Sequence, residues 1–129
     1  MSRSTTHHLK YSFIVWRAWP ARGRIDRSVS SYGTLEPVVE PVFRLKISGV
    51  VQGVGYRWSM VQEARRLGVR GGVRNRRDGS VEAIVTGSAQ ALEQIIAWAR
   101  TGPTSARVTA VDVREADGTF QSFEAWATQ

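Results

Sequence analysis

The chain contains no cysteine, which removes disulfides, thiolate nucleophiles and cysteine metal ligands together. Its two histidines, His7 and His8, both lie near the N-terminus, so from residue 42 onward the commonest general base is missing as well. No apolar run approaches the roughly 20 residues that a membrane-spanning helix needs, and a cytoplasmic protein without membrane contact is expected. The acids from residue 42 onward are Glu63, Asp78, Glu82, Glu93, Asp112, Glu115, Asp117 and Glu124. They scatter over helix faces, strands and turns without the spacing of a metal cluster. Neither a metal nor an organic cofactor is expected.

Positive charge is abundant, and a formal net charge of +7 invites a nucleic-acid reading, because clustered Lys and Arg release counterions from a phosphate backbone. Residues 1–41 hold six basic and three acidic side chains, leaving twelve against eight in residues 42–129. A surplus of four over the second segment is an ordinary solubility charge. Residues 1–41 show no sustained period and are expected to be a poorly ordered basic N-terminal extension. Their Arg- and Ser-rich character also fits an organellar transit segment or an over-extended start of translation.

Regular periods begin after Pro41. Phe43, Leu45 and Ile47 alternate with Arg44 and Lys46, a strand with one buried face. A glycine loop follows, then a helix opening at Arg57, with Met60, Val61, Ala64 and Leu67 on one side and Gly68 as its stop. Val69 to Arg74 reads as a second strand. Asn75-Arg76-Arg77-Asp78-Gly79 reads as a turn on its Asp-Gly pair, and Val81, Ala83 and Val85 form the buried side of a third strand in the same hairpin. Ser88 is a good N-cap for a second helix, whose Leu92, Ile95, Ile96 and Ala99 fall at i, i+3, i+4 and i+7. Gly102-Pro103 ends it. Arg107 to Arg114 reads as a fourth strand, and Ser122 to Ala127 as a shorter closing edge strand. This order predicts a single α+β domain over residues 42–129. Its split βαβ arrangement has an antiparallel sheet of four to five strands with two helices on one face.

The run Gly49-Val50-Val51-Gln52-Gly53-Val54-Gly55-Tyr56-Arg57 carries the most chemical information. Glycines let a backbone turn sharply and converge its N–H groups; those groups, a helix N-terminus and a guanidinium together can hold a phosphate. Arg57 in a first helical turn opposes the macrodipole at a cost of about 0.3–1 kcal/mol, and Glu63 is the next acid along the helix. A bound anion reverses that sign, with Arg57 gripping it bidentately. An exposed arginine beside a tight strand–helix turn reads equally well from the loop alone. The run is neither a Walker A loop nor a dinucleotide fingerprint.

The same absences constrain the reaction. Hydrolysis of a phosphate monoester needs a rate gain of up to ~10²¹, which this inventory of side chains does not offer. An acyl phosphate is easier, because its carboxylate leaving group has a conjugate-acid pKa of about 4 and departs without a general acid. Phosphoryl transfer through a loose transition state asks mostly for positioning and charge stabilisation. Asn75, at the end of the second strand, has donor and acceptor atoms that could orient water; Asn at a strand end is also an ordinary turn residue.

Taken together, the nine-residue run and Gly71-Gly72-Val73-Arg74-Asn75-Arg76-Arg77-Asp78-Gly79-Ser80-Val81-Glu82 resemble the two signatures of the acylphosphatase family, G-x-V-Q-G-V-x-[FY]-R and G-x-V-x-N-x-x-D-G-x-V-E. Gly102-Pro103 followed by Ala106-Arg107-Val108 is similar to the family's segment after the second helix. The resemblance spans about residues 42 to 127 and implies a ferredoxin-like sandwich that hydrolyses acyl phosphates to carboxylate and inorganic phosphate without a metal. It further implies that Arg57 binds the phosphate and Asn75 orients the attacking water, with backbone N–H groups from Gln52, Gly53, Val54, Gly55 and Tyr56 to Arg57 forming the cradle. Gly72 stands where many relatives carry an aromatic, so looser packing is expected beside the site.

The implied partner is a small acyl phosphate, with no specific nucleic acid, and a monomer is expected. Two other readings stay open. One is a non-catalytic phosphate- or RNA-binding ferredoxin-like module, although the aromatic RNP1 run is absent and Arg74, Arg76 and Arg77 also read as a solvated turn. The other is a catalytically silent domain whose extension recruits a partner.

Overall fold

In the computed structural model, which describes residues 40–129, the alternation of Phe43, Leu45 and Ile47 becomes the buried face of strand β1 (Val42–Val50). Helix α1 (Tyr56–Leu67) starts one residue before Arg57, with Gly55 as its N-cap, and stops at Gly68 in the left-handed conformation. The hairpin of β2 (Arg70–Asn75) and β3 (Val81–Thr86) pairs antiparallel from Arg70↔Thr86 to Asn75↔Val81. Helix α2 (Ala89–Ala99) begins behind Ser88, whose hydroxyl accepts the Ala91 N–H at 3.1 Å. Strands β4 (Arg107–Ala116) and β5 (Phe123–Ala125) complete the chain.

The sheet order is β4-β1-β3-β2-β5. Met60, Val61 and Ala64 of α1 and Leu92, Ile95, Ile96 and Ala99 of α2 are buried in one core with Leu45, Ile47, Val73, Val81, Val85, Val111, Val113 and Phe123 from the strands. Both helices therefore cover one face of the sheet. The alternate strand positions face away from them: Arg44 and Lys46 of β1, Gly72 and Arg74 of β2, Glu82 of β3, Asp112 and Arg114 of β4.

The sheet departs from the expected antiparallel arrangement at its last strand. β5 runs parallel to β2, with Gly71↔Phe123, Gly72↔Glu124 and Val73↔Ala125. The topology requires it: β4 is antiparallel to β1, β1 to β3 and β3 to β2, so β4 and β2 point in opposite directions. The short link over residues 117–122 reverses the chain once while carrying it from the β4 edge to the β2 edge. It thus delivers β5 in the same sense as β2.

The packing around Gly72 also differs from expectation. It is not loose, because a Cβ on Gly72 would lie 2.1 Å from Trp126 Cε2. The indole occupies the space above the glycine and contacts Phe120 at a ring separation of 5.9 Å. An aromatic covers this stretch of β2 after all, supplied by the segment after β5 rather than by β2 itself.

Of the expected extension 1–41, residues 1–39 lie outside the described residues. Glu40 and Pro41 are tied to the sheet: the Glu40 carboxylate accepts from Arg70, and the Pro41 carbonyl accepts the Thr86 hydroxyl at 2.8 Å. Among the described residues, no helix is long and apolar enough to cross a membrane.

Candidate active site

The glycine loop joins the end of β1 to the start of α1. Gly53 (φ 74°) and Gly55 (φ 81°) both take left-handed backbone angles, a conformation that costs an L-residue with a Cβ roughly 1–2 kcal/mol. Nothing within 4 Å would meet a Cβ at either position, so conformation rather than space demands glycine there. The first helical bond runs from the Ser59 N–H to the Gly55 carbonyl at 3.0 Å. The N–H groups of Tyr56, Arg57 and Trp58 precede it. No side chain caps this end and its first turn holds no acid. Such an end is a ready anion site, with orphan donors and the positive end of the dipole together.

Three tethers fix the loop from behind. The Gln52 side-chain amide donates to the Arg76 carbonyl at 2.7 Å and to the Ser80 carbonyl at 2.8 Å, joining the loop to the β2–β3 turn. The Ser105 hydroxyl donates to the Val54 carbonyl at 2.7 Å. Tyr56, fully buried, donates its hydroxyl to the Ala99 carbonyl at 2.7 Å and packs its ring against Trp98. Burial raises the Tyr56 pKa well above the usual phenol range, which keeps the hydroxyl protonated as the donor this bond requires.

A cleft of about 500 Å³ opens in front of the loop. Its walls are Val51, Gly53, Gly55, Tyr56, Arg57, Trp58, Val61, Arg65, Asn75, Glu124 and Ala125. The two residues singled out on different sequence motifs, Arg57 and Asn75, therefore share one cavity. Gln52 and Val54 are not among its walls; the Gln52 side chain and the Val54 carbonyl are engaged in the tethers behind the loop. Arg57 is half-buried and forms no ion pair with any described residue, whereas the nearby Arg65 is engaged by the Phe123 carbonyl at 3.1 Å and the Glu124 carboxylate at 3.3 Å. The Asn75 Oδ1 atom is buried and has no hydrogen-bond partner among the described residues. A buried acceptor in that state costs about 1–3 kcal/mol.

The turn behind Asn75 is well ordered by its own chemistry. Asp78 Oδ1 accepts the Ser80 hydroxyl at 2.6 Å and the Ser80 N–H at 2.9 Å. Those two bonds, with Lys46 adding a smaller contribution, lower the Asp78 pKa from 3.8 to about 2. Among the described residues, no three His, Cys, Asp or Glu side chains gather as metal ligands would.

The sheet face opposite the helices is laced with ion pairs. Glu82 meets Arg44 at 3.5 Å, Arg74 at 2.7 Å and Arg76 at 3.4 Å. Lys46 meets Asp78 at 3.5 Å and Arg114 meets Asp112 at 3.0 Å. Two of the three arginines that suggested a nucleic-acid cluster, Arg74 and Arg76, are thus spent on Glu82, while Arg77 is exposed on the turn.

Sequence reasoning missed one side of the cleft. Val61 and Arg65 were within reach of it, since they follow Arg57 at i+4 and i+8 and share its helix face. Glu124 and Ala125 carried no such signal, because they arrive through the parallel pairing of β5.

Fold and cleft together define a class: a ferredoxin-like α+β domain with an arginine-rimmed cleft at a glycine loop. The particular family follows from comparison with known proteins. The acylphosphatase family model matches residues 43–125. An acylphosphatase of Albidiferax ferrireducens is 49% identical over 87 residues, covering 67% of this chain and 95% of that protein. One from Burkholderia lata is 43% identical over 106 residues, 81% of this chain and 97% of that protein. The solved acylphosphatase of Coxiella burnetii superposes with a TM-score of 0.65 at 30% identity, covering 67% of this chain and 93% of that one. The chain belongs to the acylphosphatase family, the enzymes that hydrolyse acyl phosphates.

Proposed function

We propose that this enzyme cleaves the bond between phosphorus and the acyl oxygen of an acyl phosphate, with Arg57 and the loop N–H groups holding the phosphate and Asn75 orienting the attacking water. The observation that carries this reading is the shared cleft, lined by both Asn75 and Arg57, the latter without an ion pair to any described residue. Charge on the equatorial phosphate oxygens meets the guanidinium and the uncapped helix end. The Asn75 side-chain amide hydrogen-bonds the water and turns an oxygen lone pair toward phosphorus, and the water's protons leave with the inorganic phosphate. The acyl carboxylate leaves as the anion, stable at neutral pH because its conjugate acid has a pKa of about 4. No step asks for a metal, a nucleophilic side chain or a general acid. A monomer is sufficient, because all of these groups come from one chain.

Hydrolysis of acetyl phosphate in excess EDTA tests the proposal. Wild type turns over; Arg57→Gln and Asn75→Ala each lose on the order of 10²–10³ in rate, the usual effect of removing one preorganised transition-state donor. Both variants keep the native circular dichroism spectrum. Turnover by Arg57→Gln at the wild-type rate would refute the role given to the loop.

A further inference from the structure

The cleft is larger than its phosphate end requires. About 500 Å³ is the size of a site for a whole small molecule, and a phosphate with one water fills only part of it. The remainder lies between α1 and β5 and has a chemistry of its own. Trp58 lines it while remaining 69% exposed, and Val50 is the only other large apolar side chain that is mainly exposed among the described residues. Val61, one helical turn further on, is almost fully buried beneath it, and Ala125 presents a methyl group from β5. Arg65 and Glu124 close the far end as an ion pair, so that end offers no net charge to a substituent.

We infer that Trp58, Val61 and Ala125 form an acyl subsite selecting uncharged, apolar acyl groups longer than acetyl. This rests on the phosphate-binding role of Arg57 proposed above. Arg57 and Trp58 both line the cleft, so a phosphate held at the loop leaves its acyl group within reach of the indole. Acyl chains extending from there run along Trp58 toward Val61. Each methylene of a fully buried chain changes affinity about fourfold. In a cleft open on one side about half of that is realised, roughly twofold per methylene.

Binding of 2-oxoalkylphosphonates to the full-length chain, followed by titration calorimetry, tests the subsite without requiring turnover. In these compounds a methylene replaces the bridging oxygen, so nothing is hydrolysed. From 2-oxopropyl- to 2-oxoheptylphosphonate, four methylenes longer, affinity rises about fifteenfold in the wild type. The gain falls to within about threefold in Trp58→Ala and returns in Trp58→Phe. Affinity that does not change with chain length in the wild type, or a fifteenfold gain that survives in Trp58→Ala, overturns the subsite. Failure of the catalytic reading registers separately, as acetyl-phosphate hydrolysis by Arg57→Gln at the wild-type rate.

Discussion

Gly72→Ala gives a sharp test of how the site's strand is held. The backbone of Gly72 is not among the left-handed glycines, so alanine fits the strand conformation and by itself gains about 0.5–1 kcal/mol over glycine. Its Cβ, however, would stand 2.1 Å from Trp126 Cε2 and 2.3 Å from Cζ2, so the indole must leave. Trp126 is half-buried, and uncovering on the order of 100 Å² of apolar surface costs about 2.5 kcal/mol. The net effect is a loss of about 1.5–2 kcal/mol. In a Trp126→Ala background the obstacle is gone, and the same Gly72→Ala substitution stabilises by about 0.5–1 kcal/mol. The sign reverses between backgrounds, with a coupling energy near 2.5 kcal/mol. Urea unfolding of the four proteins measures it, provided the transitions are two-state. Equal effects of Gly72→Ala in both backgrounds, within about 0.5 kcal/mol, would refute the assignment of Trp126 as the cover of β2.

Gln52→Ala removes two bonds between the loop and the β2–β3 turn. A loss of about 1–2 kcal/mol by urea unfolding is expected, with weaker inhibition by inorganic phosphate. Gln52→Glu is expected to be worse, because a carboxylate cannot donate to the two carbonyls. For Asp78 the folded pKa, near 2, lies below the ordinary 3.8. Its contribution to stability is therefore complete above about pH 4 and disappears as the pH falls through 2. A carboxyl titration of Asp78 by NMR with its midpoint at 3.8 would contradict the Ser80 bonds. Removing residues 1–39 while keeping Glu40 and Pro41 is expected to leave acetyl-phosphate turnover within about twofold. A tenfold loss would assign the extension a part in the chemistry.

Much of this molecule was readable because its strongest signals are local. The alternation in β1, the helical stripe of Leu92, Ile95, Ile96 and Ala99 and the Asp-Gly turn each depend on residues a few positions apart, and all three appear where expected. The loop and Asn75 were readable as two motifs whose resemblance to one family joined them. What was not legible depends on distant partners. The parallel sense of β5 follows from the whole strand order rather than from Ser122 to Ala127. Gly72 alone suggests an absence of packing, since nothing near it in sequence shows that Trp126 returns above it. Gln52 stood out within the loop motif, but its contacts were not legible: the side chain donates to carbonyls 24 and 28 residues away.

Those distant contacts support the catalysis proposed for a chain with so few reactive groups. In that proposal Arg57 and Asn75, on different elements, act together only when their separation is fixed to well under an ångström. The Gln52 amide fixes the loop to the turn that immediately follows Asn75. On the other side of Asn75, the segment after β5 continues to pair with β2: Trp126 N–H donates to the Val73 carbonyl at 2.8 Å and Gln129 N–H to the Asn75 carbonyl at 3.2 Å. Asn75 is thus held by β3 on one edge, by the C-terminal segment on the other and by the Gln52-braced turn ahead of it. A side chain that moved freely could make its own hydrogen bonds and would leave no acceptor unpartnered; a braced one keeps Oδ1 without a partner among the described residues. Arg57, at the positive end of α1 and without an ion pair to any described residue, follows the same logic, since its unfavourable position becomes useful when an anion arrives. In the proposed mechanism, rigidity at both points turns two locally unfavourable arrangements into one site for a phosphate and its water.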